Sequence, residues 1–141
     1  MKYIFLFFFF IKTAFSAELG GDWYQSCDKD SYHLHVLVNH SGIMEVVSNQ
    51  IYVKVNFLSV DNSIDFIYLE PEDLGRGGMM YDWDVYSKEK PIANIKQANK
   101  NELIFKWNGF FNEKKKKYEL VNEFIDSKEK FTQTIKMYRC K

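Results

Sequence analysis

The chain has 141 residues, with Lys+Arg 19 set against Asp+Glu 19, and it is 46% hydrophobic and 27% charged. An even charge balance excludes the electrostatic footprint of a nucleic-acid binder. The apolar share excludes a disordered chain, and the length suits one domain behind a short leader.

The first predicted element is a signal peptide over residues 1–16. Met1 and Lys2 give a positive start, Tyr3 to Ile11 is unbroken apolar sequence, and Ala14-Phe15-Ser16 supplies small residues at the −3 and −1 positions of a cut after Ser16. The apolar run is too short for a transmembrane helix, which needs roughly 20 residues. Residues 17–141 are then expected to form a single β-barrel domain. Loss of Lys2 and Lys12 with the leader leaves the mature chain slightly acidic.

Strands follow in order. Short candidates are Trp23 to Cys27, His33 to Val38 and Ile43 to Val47. Ile51, Val53, Val55 and Phe57 alternate with Tyr52, Lys54, Asn56 and Leu58, and Ile64 to Glu70 is the next candidate. Met79, Tyr81, Trp83 and Val85 alternate with Met80, Asp82, Asp84 and Tyr86. Ile92 to Lys96 precedes Leu103, Phe105 and Trp107, which alternate with Glu102, Ile104 and Lys106. Tyr118, Leu120 and Phe124 share a face, and Phe131, Ile135 and Met137 alternate with Thr132, Thr134 and Lys136. A period of two sends one set inward and the other to water. Breaker clusters such as His40-Ser41-Gly42, Asp61-Asn62-Ser63 and Asn99-Lys100-Asn101 separate these runs. A helical turn is expected at Pro71 to Leu74, because Pro suits a first helical position.

This spacing predicts an all-β fold, an antiparallel up-and-down β-barrel of about eight to ten strands, with a sandwich as the alternative. Cys27 and Cys140 stand near the two ends of the mature chain. Export permits a disulfide between them, joining the first and last strands, and a barrel pairs those strands. The expected location is periplasmic or secreted.

Tests for chemistry return little. His33 and His35 share a strand face and two imidazoles can share a metal, but Leu34, Val36 and Val38 form the apolar face. The histidines are expected to face water, and no third ligand is evident, so no metal or other cofactor is assigned. Asp82 and Asp84 read as a solvent face and not as an acid–base pair. No Gly-x-Ser-x-Gly elbow occurs, and Gly75-Arg76-Gly77-Gly78 lacks the ending of a phosphate loop. No catalytic residue is assigned and the chain is expected not to be an enzyme. Lys114 to Lys117 reads as an exposed hairpin tip. The stretch Pro71 to Gly78 is the longest that alternation fails to explain. Its candidate binding residues are Leu74 and Arg76 at the tip, bordered by Glu72 and Asp73, because function concentrates on loops held by a scaffold.

Gly21-Asp22-Trp23-Tyr24 resembles the Gly-x-Trp-Tyr opening of lipocalins and related calycin barrels. The resemblance implies that a basic residue near the last strand packs over the Trp and closes one end of the barrel, and Arg139 stands at that place. The family's Thr-Asp-Tyr element and its long flanking helix are not recognisable. The overall profile is also similar to periplasmic lysozyme inhibitors and to immunity proteins. The expected function is an exported, non-enzymatic binding protein that blocks or neutralises a partner protein, such as a cell-wall-degrading enzyme or toxin. The alternative is a lipocalin-like carrier of a small apolar ligand.

Overall fold

The computed structural model describes residues 19–28, 31–37, 39–47, 51–119, 124–125 and 131–140. The expected signal peptide, its cut site, and Leu120 to Glu123 lie outside the described residues. Eight strands form a closed antiparallel barrel: β1 (Gly21–Tyr24), β2 (His33–Val36), β3 (Ser41–Val47), β4 (Ile51–Val60), β5 (Ser63–Asp73), β6 (Pro91–Asn99), β7 (Glu102–Trp107) and β12 (Thr134–Tyr138). Each pairs with the next, and β12 closes the ring against β1. Between β7 and β12 the chain makes two separate hairpins, β8 (Phe110–Asn112) with β9 (Lys117–Glu119), and β10 (Phe124–Ile125) with β11 (Phe131–Thr132).

Alternation builds the wall. Ile51, Val53 and Val55 are buried along β4 while Tyr52 and Lys54 are not, and Leu103, Phe105 and Trp107 are buried along β7. Ile135 and Met137 do the same on β12. The inward set is bulky: Trp23, Trp107, Tyr68, Phe66 and Phe105 are fully buried, with Phe110 beside them. Where two hairpins turn sharply, His40 and Asp61 adopt positive φ, 62° and 50°. Such turns match the right-handed twist of the strands they join. Gly42 is needed for another reason: a Cβ there would stand 2.5 Å from the His35 carbonyl oxygen and 2.7 Å from the Phe57 ring.

Cys27 and Cys140 are bonded, with an S–S distance of 2.05 Å and Cα atoms 5.5 Å apart. The bond joins the regions of the first and last strands, as expected from the sequence.

Two local expectations need correction. The run Met79 to Tyr86 is not a strand. Gly75–Gly78 is a single helical turn, α1, and Trp83–Val85 is a 3-10 turn. The apparent alternation there arises because Trp83 and Val85 turn inward while Asp82 and Asp84 stay exposed; Tyr86, next to Val85, is also buried. The helical turn expected at Pro71–Leu74 is displaced onto Gly75–Gly78. Pro71, Glu72 and Asp73 instead prolong β5 along β4, with Val53 opposite Pro71 and Tyr52 opposite Asp73. β6 pairs β5 only as far as Ile67 opposite Pro91. Pro71 therefore lies on a strand edge that needs no donor from it.

Tyr68, Trp83, Tyr86, Trp107 and Phe110 form an aromatic cluster of mostly edge-to-face pairs, with centroids 5.0–6.1 Å apart. Burial raises the phenol pKa values of Tyr68 and Tyr86, that of Tyr86 to about 12, with nearby carboxylates adding to the effect. Unfolded tyrosine ionises near ~10, so folding favours the protonated phenols. Their contribution to stability is complete below about pH 10 and is lost as pH climbs through the raised folded values. In an alkaline tyrosinate titration, Tyr68 and Tyr86 should ionise late and together with loss of the near-ultraviolet circular dichroism. Ionisation of every tyrosine at ordinary pH with that signal intact would contradict this burial.

Candidate functional site

The turns that join β2 to β3, β4 to β5 and β6 to β7 mark one end of the barrel. At that end Trp23 is fully buried, its Nε1 donates to the Leu19 carbonyl at 2.9 Å, and the Arg139 Cζ lies 4.5 Å from the Trp23 ring centroid. The Arg139 backbone N–H donates to the Asn101 carbonyl at 3.1 Å, which holds Arg139 beside the Asn99–Glu102 turn. A guanidinium stacked on an indole supplies ~0.5–2 kcal/mol of cation–π attraction and covers the apolar ring from water.

The opposite end carries residues 74–90, which connect β5 to β6, together with the β8–β9 hairpin. The four residues singled out from the sequence have different positions here. Glu72 ends on Lys54, whose Nζ also reaches Glu70, at 2.8 and 2.9 Å. Those two hydrogen bonds hold the Lys54 ammonium above its usual range, and the Lys54 bond holds the Glu70 carboxyl below its own. The Asp73 Oδ1 accepts the Gly75 N–H at 3.0 Å and so starts the turn. Leu74 is not a free tip residue: it is partly buried, packs on the core, and touches the position of Gly78. Arg76 is exposed, and among the described residues no carboxylate is paired with it.

The residues that follow are expected from the sequence to form a strand and are given no binding role there. Met79 is 70% exposed and Met80 88% exposed, with Tyr81 beside them. They do not hang on a loose loop. Gly78 is buried and its N–H donates to the Leu74 carbonyl at 2.8 Å. The buried Trp83 donates from Nε1 to the Gly78 carbonyl at 2.7 Å. The Tyr81 ring packs edge-on against Trp83. The methionines are thus fixed at both ends while their side chains face water. The sequence signal is two adjacent methionines after a glycine run, and an alternation that looks like a strand masks it.

The lysine block is a hairpin tip, as its composition suggests. Lys114 pairs with Asp82 at 3.2 Å, Lys115 with Glu119 at 2.7 Å and Lys116 with Glu113 at 2.9 Å. Carboxylates answer these charges locally, so the tip is not an open basic patch. Asn112 Oδ1 shapes it by accepting the N–H groups of Lys114 and Lys115.

On the outer face of β1 and β2, His33 and His35 point to solvent as expected. Asp22 joins them: its Oδ1 lies 2.8 Å from His33 Nε2 and 2.7 Å from His35 Nδ1. The His35 hydrogen bond, opposed by partial burial and reinforced by His33, holds the Asp22 carboxyl below the usual carboxylate range. A further open groove of about 410 Å³ lies along β4 and β5, lined by His40, Phe57, Leu58, Ile67 and Leu69 among others.

Comparison of the chain with protein-family models, with curated proteins and with solved structures finds no match. Among the described residues, no helix is long and apolar enough to cross a membrane.

Proposed function

We propose that this chain is an exported binding protein that acts by occupying a partner protein, and that the contact is made by Arg76, Met79 and Met80 on the segment after β5. The observation that carries this reading is the pinned exposure of Met79 and Met80. Large exposed apolar side chains on a positioned segment mark interaction surfaces, and methionine adapts its shape to a partner. Anchoring through Gly78 and Trp83 lowers the ordering cost of binding. Arg76 beside them suits an acidic cleft, such as that of a carboxylate-using wall hydrolase, and an inhibitor or immunity protein in the periplasm or culture fluid fits that partner. The chain carries no assigned nucleophile or acid–base pair, and blocking a cleft needs none.

The carrier reading draws on the Trp23–Arg139 stack, which favours a calycin-like barrel. Its interior speaks against a cargo: Trp23, Trp107, Phe66, Phe105 and Tyr68 fill inward positions, and a barrel of about eight strands is just wide enough to be filled by side chains.

Native mass spectrometry of the exported protein from its own source should show a stoichiometric protein companion. The variant combining Met79→Ser, Met80→Ser and Arg76→Ala should weaken that complex by at least about tenfold, since one hot-spot truncation costs ~2 kcal/mol or more. Its melting temperature should be unchanged. A co-purifying lipid in place of a protein would favour the carrier, and undiminished affinity of the triple variant would remove this segment from the interface.

A further inference from the structure

Residues i and i+2 of a strand share a face, which brings His33 and His35 side by side on β2. The β1–β2 register sets Asp22 directly opposite His35 and Tyr24 opposite His33. Asp22 is therefore the cross-strand neighbour of one histidine and the diagonal neighbour of the other, close enough for its carboxylate to reach both. One oxygen does so, Oδ1, at 2.7 Å from His35 Nδ1 and 2.8 Å from His33 Nε2. The three ligating atoms all lie within 4.8 Å of one another.

We propose that Asp22, His33 and His35 form a binding site for a divalent transition-metal ion of the zinc class. Two imidazole nitrogens and one carboxylate oxygen are a donor set that such ions favour. Tetrahedral zinc with bonds of ~2.0–2.1 Å places its donors about 3.3 Å apart, so the two N···O separations need open by about half an ångström and the two imidazole nitrogens, within 4.8 Å of each other, close by up to about 1.5 Å. The ion takes the place of the ring protons now shared with Asp22, and each imidazole carries its proton on the other nitrogen. The side chains are 32%, 39% and 47% exposed for His33, His35 and Asp22, which leaves room for water to complete the coordination.

The site is also held in shape. All three ligands stand on paired barrel strands, which position side chains more firmly than loops do. The Tyr24 ring stacks on His33 at 4.7 Å with an interplanar angle of 11°. The His33 backbone N–H donates to Oε2 of the buried Glu45 at 3.0 Å, which fixes β2 where the ligands emerge. A hydrogen-bonded trio alone would account for the same short distances, and the ion is what distinguishes the two accounts. The site lies on β1 and β2, away in sequence from Arg76, Met79 and Met80, and it does not depend on the proposed partner.

The test is calorimetric titration of zinc chloride into the untagged mature protein after chelator treatment. Binding of one equivalent with micromolar or tighter affinity is expected. His33→Gln, His35→Gln and Asp22→Asn should each weaken it by at least about a hundredfold, beyond the roughly 10–100-fold loss from an outer-shell change. His40→Gln should leave it unchanged. In nuclear magnetic resonance spectra of the unmutated protein, zinc should move the ring signals of His33 and His35 and leave those of His40 in place, a readout that needs no variant to fold. Absence of binding at millimolar zinc, equal affinity in His35→Gln, or shifts confined to His40 would overturn the assignment.

Discussion

Reduction of the Cys27–Cys140 bond should lower the unfolding free energy by ~4–5 kcal/mol while the folded protein keeps its β-type circular dichroism. The two residues are 113 apart in sequence. Cross-linking so long a loop removes that much conformational freedom from the unfolded chain in the chain-entropy account. The folded side changes less, because the strands still share one apolar interior running from Leu34 to Met137. For a domain of this size the loss corresponds to a fall in melting temperature of roughly 15–20 °C. Paired melts of the oxidised protein and of Cys27→Ser/Cys140→Ser decide it. Equal melting temperatures would contradict the chain-entropy account, since opening the loop would then have released no freedom in the unfolded chain.

Trp23→Ala should cost ~3–5 kcal/mol, the range for removing a large aromatic from a core. The indole is fully buried, donates to the Leu19 carbonyl and carries the Arg139 guanidinium on its face. Truncation opens a void at the closed end, leaves a carbonyl without its donor and takes away the surface that Arg139 covers. Trp23→Phe keeps most of the volume but loses the donor, so its cost should be nearer ~1–3 kcal/mol. In a double-mutant cycle with Arg139→Met, the coupling should fall at ~0.5–2 kcal/mol. Denaturant unfolding of the parent, Trp23→Ala, Trp23→Phe, Arg139→Met and Trp23→Ala/Arg139→Met gives all these values. Zero coupling would show the stack to be mere proximity. A domain's whole stability is only ~5–15 kcal/mol, so Trp23→Ala should also reduce the yield of folded protein.

Most of the barrel is legible in the sequence because its strands have one wet and one dry face, and a period of two records that directly. β4, β7 and β12 show it best. β8 escapes notice because Phe110, Phe111 and Asn112 carry no alternation: Phe110 and Asn112 are both buried, one by aromatics and one by hydrogen bonds to the turn and to Glu119. The Met79–Tyr86 stretch misleads for the opposite reason. Its sequence pattern imitates a strand, but Gly75 to Gly78 lets the chain coil, and the Trp83 indole finds its acceptor in the Gly78 carbonyl, not in a neighbouring strand. Leu74 looks like a tip because the sequence does not show that it packs on the core and against Gly78. The His33–His35 pair is visible, but its third member is not. Asp22 belongs to a different strand, and the register that brings it opposite His35 is a property of pairing that no local pattern encodes.

Barrel closure has a seam. Among the described residues, β12 meets β7 along its whole length from Thr134 to Tyr138, whereas it meets β1 at the Tyr24–Tyr138 pair. Where this seam parts, β1 and β12 each present a row of unpaired amides, and such edges recruit strands from other molecules. The covalent link between Cys27 and Cys140 spans the same two strand regions and keeps the edges facing each other. In a reducing compartment the hazard is therefore self-association through opened edges before it is unfolding. Turbidity that rises with protein concentration and is suppressed by oxidation is the behaviour this geometry implies.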